Sequence, residues 1–281
     1  MSFLKITFSV LILLISSIGY CQTIEGTVVN ASSGKPLSYV HIGVFNKNLG
    51  VISDQQGHFK IDLKNTNKEQ FLSFSIIGYA KKDIRIGDLG NGIHVKLQPI
   101  AYQLEEVVVR DAKINETFQV GFTKPSKTTS GSANKDHFGW GMELGVIVPY
   151  GGRSGRVESI HFHHRYNTLD SVLYRLNIYE LKNNYPDASI LTEEIFVMCR
   201  KRDKWVSKNV SDLGLDFNRN LFFSVEVVRQ WKGNANNIVL FWSHPKNANE
   251  VTPYIRKSSM GEWSKELAVP LTLYLTIAPW E

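Results

Sequence analysis

Short runs in which apolar and polar residues alternate occupy most of this chain. Beyond the N-terminal stretch, no segment repeats its apolar positions every three to four residues. Ile24-Glu25-Gly26-Thr27-Val28 alternates, 30–36 is a Ser/Gly/Pro-rich turn, and Tyr39-Val40-His41-Ile42-Gly43-Val44 alternates again. Gly50 and Gly57 punctuate a hairpin around Val51-Ile52 and Phe59-Lys60-Ile61. Residues 71–76 place Phe71, Ser73 and Ser75 on one face and Leu72, Phe74 and Ile76 on the other. Ile84-Arg85-Ile86 and 93–97 complete the set. About seven short strands at this spacing predict an antiparallel β-sandwich over 22–109.

Residues 110–137 lose this pattern. Around Pro125 they become rich in Lys, Ser, Thr and Gly, which reads as a linker. Strand signals resume near Trp140 and run through 142–148, 156–162, 172–179, 190–198, 221–228, 238–242 and 267–277. Asn183-Asn184-Tyr185-Pro186-Asp187 and Lys232-Gly233-Asn234 divide them as turns. Longer antiparallel strands in this number predict a second, larger sandwich of jelly-roll type over 138–281. The fold expectation is thus all-β, with two tandem sandwiches.

Several motifs of the first unit carry a resemblance. Gly34-Lys35-Pro36-Leu37 forms a G-x-P-L turn, and Ser53-Asp54 with Gly57 and Phe59 forms an S-D-x-x-G-x-F hairpin. Ile77-Gly78-Tyr79 forms an x-G-Y corner, and the unit closes on Leu104-Glu105-Glu106-Val107-Val108-Val109. Together these resemble the carboxypeptidase-regulatory-like, transthyretin-like β-sandwich of bacterial envelope proteins, often found N-terminal in TonB-dependent receptors. The resemblance covers 22–109, implies that fold and compartment, and implies no catalysis. It assigns structural turn roles to Pro36, Asp54, Gly57 and Gly78. Asp54 suits a bond to the turn backbone and Gly57 a positive φ. One carboxylate beside two glutamines is a poor calcium shell. In receptors the closing segment leads to a plug and barrel, but a 22-strand barrel at about 10 residues per strand needs more than ~200 residues. The sequence after Val109 is shorter than that, so a transporter is not expected.

Compartment follows from the N-terminus. Lys5 precedes an apolar run from Ile6 to Ile15, and small residues lead to Cys21. This reads as a secretory signal peptide over 1–21 with cleavage before Gln22. Lipidation of Cys21 is the alternative, weakened by bulky Tyr20 just before it. No later stretch is long and apolar enough for a transmembrane helix. The expected location is therefore periplasm, outer-membrane surface or extracellular space. The chain has 2 cysteines, so cleavage leaves Cys199 without an intrachain partner, and its apolar neighbours read as core. The net charge of +6 over 281 residues is mild and spread out, which argues against nucleic acid as a partner. The local cluster Arg200-Lys201-Arg202-Asp203-Lys204 reads as a solvated loop.

Candidate chemistry is sparse. In His161-Phe162-His163-His164 the first and third histidines share a strand face, but a third zinc ligand at diagnostic spacing is missing. Gly151-Gly152-Arg153-Ser154-Gly155 lacks the ending of a phosphate-binding loop and reads as a hairpin. Glu105-Glu106 and Glu193-Glu194 are neighbours on strands and face opposite ways. No metal site, no cofactor and no catalytic residue is therefore assigned. The 6 tryptophans all lie beyond the linker, and Trp231 and Trp263, flanked by polar residues, are the least core-like. These two are the candidate ligand-binding residues, since exposed rings stack on sugars. The resulting expectation is a non-catalytic envelope protein working through binding or assembly, with an envelope protein or a glycan as partner. A carbohydrate-binding module is the first alternative and a hydrolase with scattered carboxylates the second. Ligand contact is expected after residue 138, from the loops 150–155, 182–187, 200–204 and 234–237, with the first sandwich as spacer or docking module.

Overall fold

The computed structural model describes residues 23–64, 66–100, 112–133, 140–233, 240–266, 268 and 270–280. The signal segment 1–21, the closing strand 104–109 and the loop 234–237 lie outside the described residues. Strands account for the regular structure, with a few single 3₁₀ turns and no α-helix among the described residues. No described helix is long and apolar enough to cross a membrane.

The first sandwich comprises β1 (Thr23–Asn30), β2 (His41–Gly43), β3 (Gly50–Ile52), β4 (His58–Asp62), β5 (Phe71–Ser75), β6 (Lys82–Arg85) and β7 (Ile93–Leu97). One sheet has the order β4-β1-β7, the other β3-β2-β5-β6. All pairings are antiparallel except β1 with β7, which run parallel. Alternation does what period-2 patterning requires: β4 buries Phe59 and Ile61 and exposes His58, Lys60 and Asp62. These pack with Ile24, Val28 and Val95 against Val40, Ile42, Leu72 and Phe74 of the facing sheet. Each such side chain contributes roughly 1.5–3 kcal/mol when fully buried. The turn between β3 and β4 is closed by Asp54, whose Oδ1 accepts from the amides of Gln56 and His58, both at 2.8 Å. Gly57 sits there at φ +77°, with Val28 O only 2.5 Å from where a Cβ would stand. Gly78 also has positive φ, and Pro36 bridges to Val29.

The second sandwich comprises β8 (Phe118–Gly121), β9 (Pro125–Ala133), β10 (Glu143–Val148), β11 (Gly155–Asn167), β12 (Ser171–Lys182), β13 (Tyr185–Ser189) and β14 (Ile195–Arg200). It continues with β15 (Trp205–Asn209), β16 (Asp216–Phe217), β17 (Leu221–Trp231), β18 (Leu240–Pro245), β19 (Pro253–Arg256), β20 (Trp263–Ser264) and β21 (Leu273–Pro279). Its front sheet runs β13-β12-β17-β10-β19-β20, with β14 also on β12. Its back sheet runs β8-β21-β11-β18-β9, with β15 and β16 also on β11. The core between them takes Val146, Tyr174, Leu176, Ile178 and Val225 from the front and Val157, Ile160, Phe162, Leu273 and Leu275 from the back.

Three sequence readings need correction. The segment 110–137, read as a linker, supplies β8 on β21 and β9 on β18. β8 packs Phe118 and Val120 on the core, whereas the edge strand β9 needs a backbone partner more than an apolar face, so its Ser/Thr/Gly composition does not exclude it. The turn placed at 183–187 is tighter: Asn183 and Asn184 both take positive φ, as a two-residue hairpin turn demands, and Tyr185 already starts β13. The strand placed at 190–198 begins at Ile195, which puts Glu193 and Glu194 in the preceding loop rather than on a strand.

The two sandwiches are docked. The outer face of the front sheet meets the β2–β3 hairpin, and the amide of Asn46 donates to Met260 O at 3.0 Å. Gly50 permits this approach, because a Cβ there would run into the Ser259 carbonyl. Arg229 Nη1 donates to Gln55 Oε1 at 2.7 Å, and Tyr39 packs on Phe196 with centroids 5.6 Å apart.

Candidate functional site

Two regions concentrate polar chemistry, and they lie on opposite faces of the second sandwich. The first is the buried seam between the sandwiches. Strand alternation sends Arg175, Asn177 and Tyr179 of β12, and Ser224 and Glu226 of β17, to the outer face of the front sheet. On a free sheet these would meet solvent. Here Arg175 is 1% exposed, and Glu143 and Glu226 are fully buried.

Each charge in the seam has partners. Arg175 pairs with Glu194 at 2.7 Å and Glu226 at 3.2 Å, and donates to the Tyr39 carbonyl of the first sandwich at 2.5 Å. His41, from β2, donates through Nε2 to Glu226 at 2.9 Å and lies against the Arg175 guanidinium. Asn177 Nδ2 bridges Glu143 at 2.9 Å and Glu226 at 3.3 Å. Glu143 also accepts from Tyr179, Ser224 and Arg256. Burial by itself would raise the Glu226 carboxyl, but Arg175 and His41 outweigh it and hold the group well below the usual carboxylate range. This constellation fastens two domains. Glu143 and Glu226 are each engaged by cations and neutral donors within it.

The second region is the outer face of the back sheet. His161 and His163 of β11, Tyr274 of β21 and Trp205 of β15 form a strip of rings there. His161 stacks on Tyr274 at 4.3 Å, Trp205 meets Tyr274 at 5.2 Å, and His163 meets Trp205 at 4.8 Å. His161 bonds Ser207 at 2.7 Å and Thr276 at 3.0 Å, and His163 bonds Ser243 at 2.7 Å. Partial burial lowers the pKa of both histidines, and Lys204 and Arg165 lower that of His163 further. His164 turns the other way, into the core. There its ring bonds the Tyr174 hydroxyl at 2.9 Å and Cys199 Sγ at 3.3 Å, and burial pushes its pKa down to about 3. Burial likewise pushes the Cys199 thiol up to about 12. Among the described residues no three His, Cys, Asp or Glu side chains converge as a metal site would require.

Beside the ring strip opens a cleft of about 950 Å³, lined by Thr123 to Lys127 on one side and by His163, Arg165, Tyr166, Lys204, Trp205 and Ser243 on the other. A second cleft, of about 1230 Å³, runs along the first sandwich past Asp54, His58 and Lys60 to Trp140.

The six tryptophans separate by environment. Trp242 is fully buried, whereas Trp140 and Trp205 are the exposed ones. Trp231, at the end of β17, is half-buried with the Arg229 guanidinium 4.8 Å over its ring. Trp263 is half-buried among Tyr179 and Phe222, with Arg256 4.9 Å over its ring. The two sites are far apart in the fold, on β17 and β20, and the structure does not bring them together. Polar flanks along a strand do not reveal that an arginine crosses over the ring. Of the loops read as candidate contacts, 200–204 contributes Lys204 to the cleft, while 200–203 is an exposed turn. Thr123 to Lys127, which the sequence reading placed in a linker, were missed as a wall of the cleft. Their only sequence signal is two lysines flanking Pro125 and Ser126.

Comparison with known proteins assigns the first sandwich. Residues 24–109 match the family of the CarboxypepD_reg-like domain, so this part of the chain is a carboxypeptidase-regulatory-like sandwich. Among individual proteins, the TonB-dependent receptor P3 of Formosa agariphila is 33% identical over 88 residues, which is 31% of this chain and 8% of the receptor. The chain thus corresponds to a small fraction of that relative's length. Solved structures offer only distant likenesses. A variant of BcpA, the major pilin subunit of Bacillus cereus, aligns at 11% identity with a TM-score of 0.19, covering 89% of this chain and 68% of the pilin. The infectious bursal disease virus Gx strain structure aligns at 12% identity with a TM-score of 0.18, covering 92% and 62%. At such scores neither likeness carries an argument.

Proposed function

We propose that this chain is a non-catalytic, exported envelope protein that works through binding or assembly, its carboxypeptidase-regulatory-like sandwich serving as a docked support for the larger one. The relationship of 24–109 to a segment of a TonB-dependent receptor supports the envelope assignment. The observation that best supports a non-catalytic role is the state of the reactive groups. The buried carboxylates are saturated by Arg175, Arg256 and His41, His164 is locked between Tyr174 and Cys199, and the one core thiol is held protonated. A nucleophile or general base needs a group that a substrate can reach from a cleft, which these buried groups are not.

Fractionating the native cell tests the first half of the reading, and recovery in the cytosol would overturn it. Metal analysis tests the second half. The purified protein is expected to carry no stoichiometric zinc, and His161→Ala with His163→Ala to fold normally. Tight zinc lost in that double variant would promote a hydrolase. A glycan-binding role is the second reading, favoured by the ring strip and the cation-lined cleft on the back sheet.

A further inference from the structure

We propose that the cleft on the back sheet is a binding site for an acidic polysaccharide, a chain of sugars carrying carboxylate or sulfate groups. This rests on the reading of the chain as a binding protein and names its ligand class and site.

Charge is the first argument. Lys124, Lys127, Arg165 and Lys204 line the cleft, and among the described residues no carboxylate lines it. Among the described residues none of these four cations forms a salt bridge to an acid. Arg165 donates to the Ser126 carbonyl at 3.2 Å, and Lys204 donates to the Arg165 carbonyl. Arg165 and Lys204 are thus held by neutral backbone oxygens rather than by a described carboxylate. A concave surface lined by one sign of charge raises the local concentration of the opposite ion.

The second argument is the rings. Trp205 is 38% exposed and Tyr166 56%, and both line the same cleft. Near-perpendicular contacts from His163 and Tyr274, at 75° and 77°, hold Trp205 in place, so its ring is ordered before a ligand arrives. An ordered aromatic surface offers apolar area to the C–H face of a sugar at little entropic cost. The half-buried His163 imidazole, oriented by its bond to the buried Ser243, adds a polar partner beside it. Burial, Lys204 and Arg165 lower the pKa of His163, so at neutral pH it serves as a hydrogen-bonding group rather than a further cation. The volume of about 950 Å³ suits a few sugar units, and the cleft is open, as a polymer threading through would need.

Single-stranded nucleic acid uses cations and rings too. It is disfavoured by the mild net charge of +6 over the whole chain and by the envelope setting proposed above.

The test uses the full mature chain in affinity electrophoresis and calorimetry. Polygalacturonate and dextran sulfate serve as acidic probes, dextran as the neutral control and an oligothymidylate as the nucleic-acid control. Retention by at least one acidic polymer is expected, with little by dextran, and weakening as salt rises from about 0.05 M to about 0.5 M. Trp205→Ala and Lys127→Glu should each weaken binding at least tenfold while the protein stays folded at the assay temperature, and Trp205→Phe should restore part of it. No retention by either acidic polymer, equal retention by dextran, tighter binding to the oligonucleotide, or undiminished affinity in both variants would overturn the proposal. Localisation in the envelope is read separately, so failure here leaves that assignment distinguishable.

Discussion

Removing the charge of Arg175 is the perturbation that tests the docking seam most directly. The guanidinium is 1% exposed and is the shared partner of Glu226, Glu194 and the Tyr39 carbonyl. Arg175→Met keeps much of the stem's packing and deletes the charge and its donors. Glu226 then stays fully buried with only His41 and Asn177 to satisfy it. Breaking a buried pair from one side costs about 3–5 kcal/mol, because an uncompensated charge is left behind. With a urea slope of about 3 kcal/mol/M, the unfolding midpoint should fall by about 1–1.7 M. Hydrogen exchange in β2, which carries His41 across the seam, should accelerate in parallel. A second variant sharpens the test. Adding Glu226→Leu removes the stranded carboxylate, and apolar replacement of both partners is often neutral or better, so at least half of the lost stability should return. A loss below about 1 kcal/mol in the single variant, or a double variant no more stable than the single, would refute the account of the seam as a desolvated network.

Three further outcomes are expected. His164 is buried with its pKa at about 3, against about 6.5 in an unfolded chain, so the unfolded state takes up a proton that the native state refuses. Stability should therefore be full above about pH 6.5 and decline as pH falls toward 3, starting before the carboxylates titrate. Urea midpoints that are flat between about pH 5 and 7 would contradict this. Glu226, held low by Arg175 and His41 despite its burial, adds a loss of the same sign below about pH 4.3. Burial holds the Cys199 thiol at about 12, so a thiol-reactive dye should label it only after denaturation, and rapid native labelling would show that the core opens. Gly50→Ala should destabilise by about 1–3 kcal/mol by driving a methyl into the Ser259 carbonyl, and unchanged thermal unfolding would mean the hairpin is not tightly docked.

How far the sequence could be read depended on whether the physics was local. Alternation in 58–62 and 71–75, the Asp54 and Gly57 turn, and the Gly78 corner are settled within a few residues of chain, and all are visible in the one-dimensional pattern. The opposite facing of His164 and its neighbours His161 and His163 follows from the same period of two. Strand β9 was invisible, because its place comes from backbone pairing with Leu240–Pro245 rather than from an apolar face of its own, and β8, which packs Phe118 and Val120 on the core, is only 4 residues long. The run Leu221–Val228 is buried on both faces of its strand, and nothing in the sequence names the covering partner.

By itself, then, the sequence determined the class of fold, the first sandwich and its turns, and the resemblance of this unit to the carboxypeptidase-regulatory-like domain. These depend on side-chain periodicity and on residues whose backbone preferences act at short range. Tertiary structure alone decided that Arg175 and Glu226 are buried rather than solvated, since burial depends on what lies across a sheet face. It also decided that Trp205, rather than a tryptophan with more polar neighbours, stands exposed beside four cations drawn from strands β9 and β11 and from the segments that lead into β9 and β15. A cleft is a relation between segments distant in the chain, and such a relation exists only once the chain has folded.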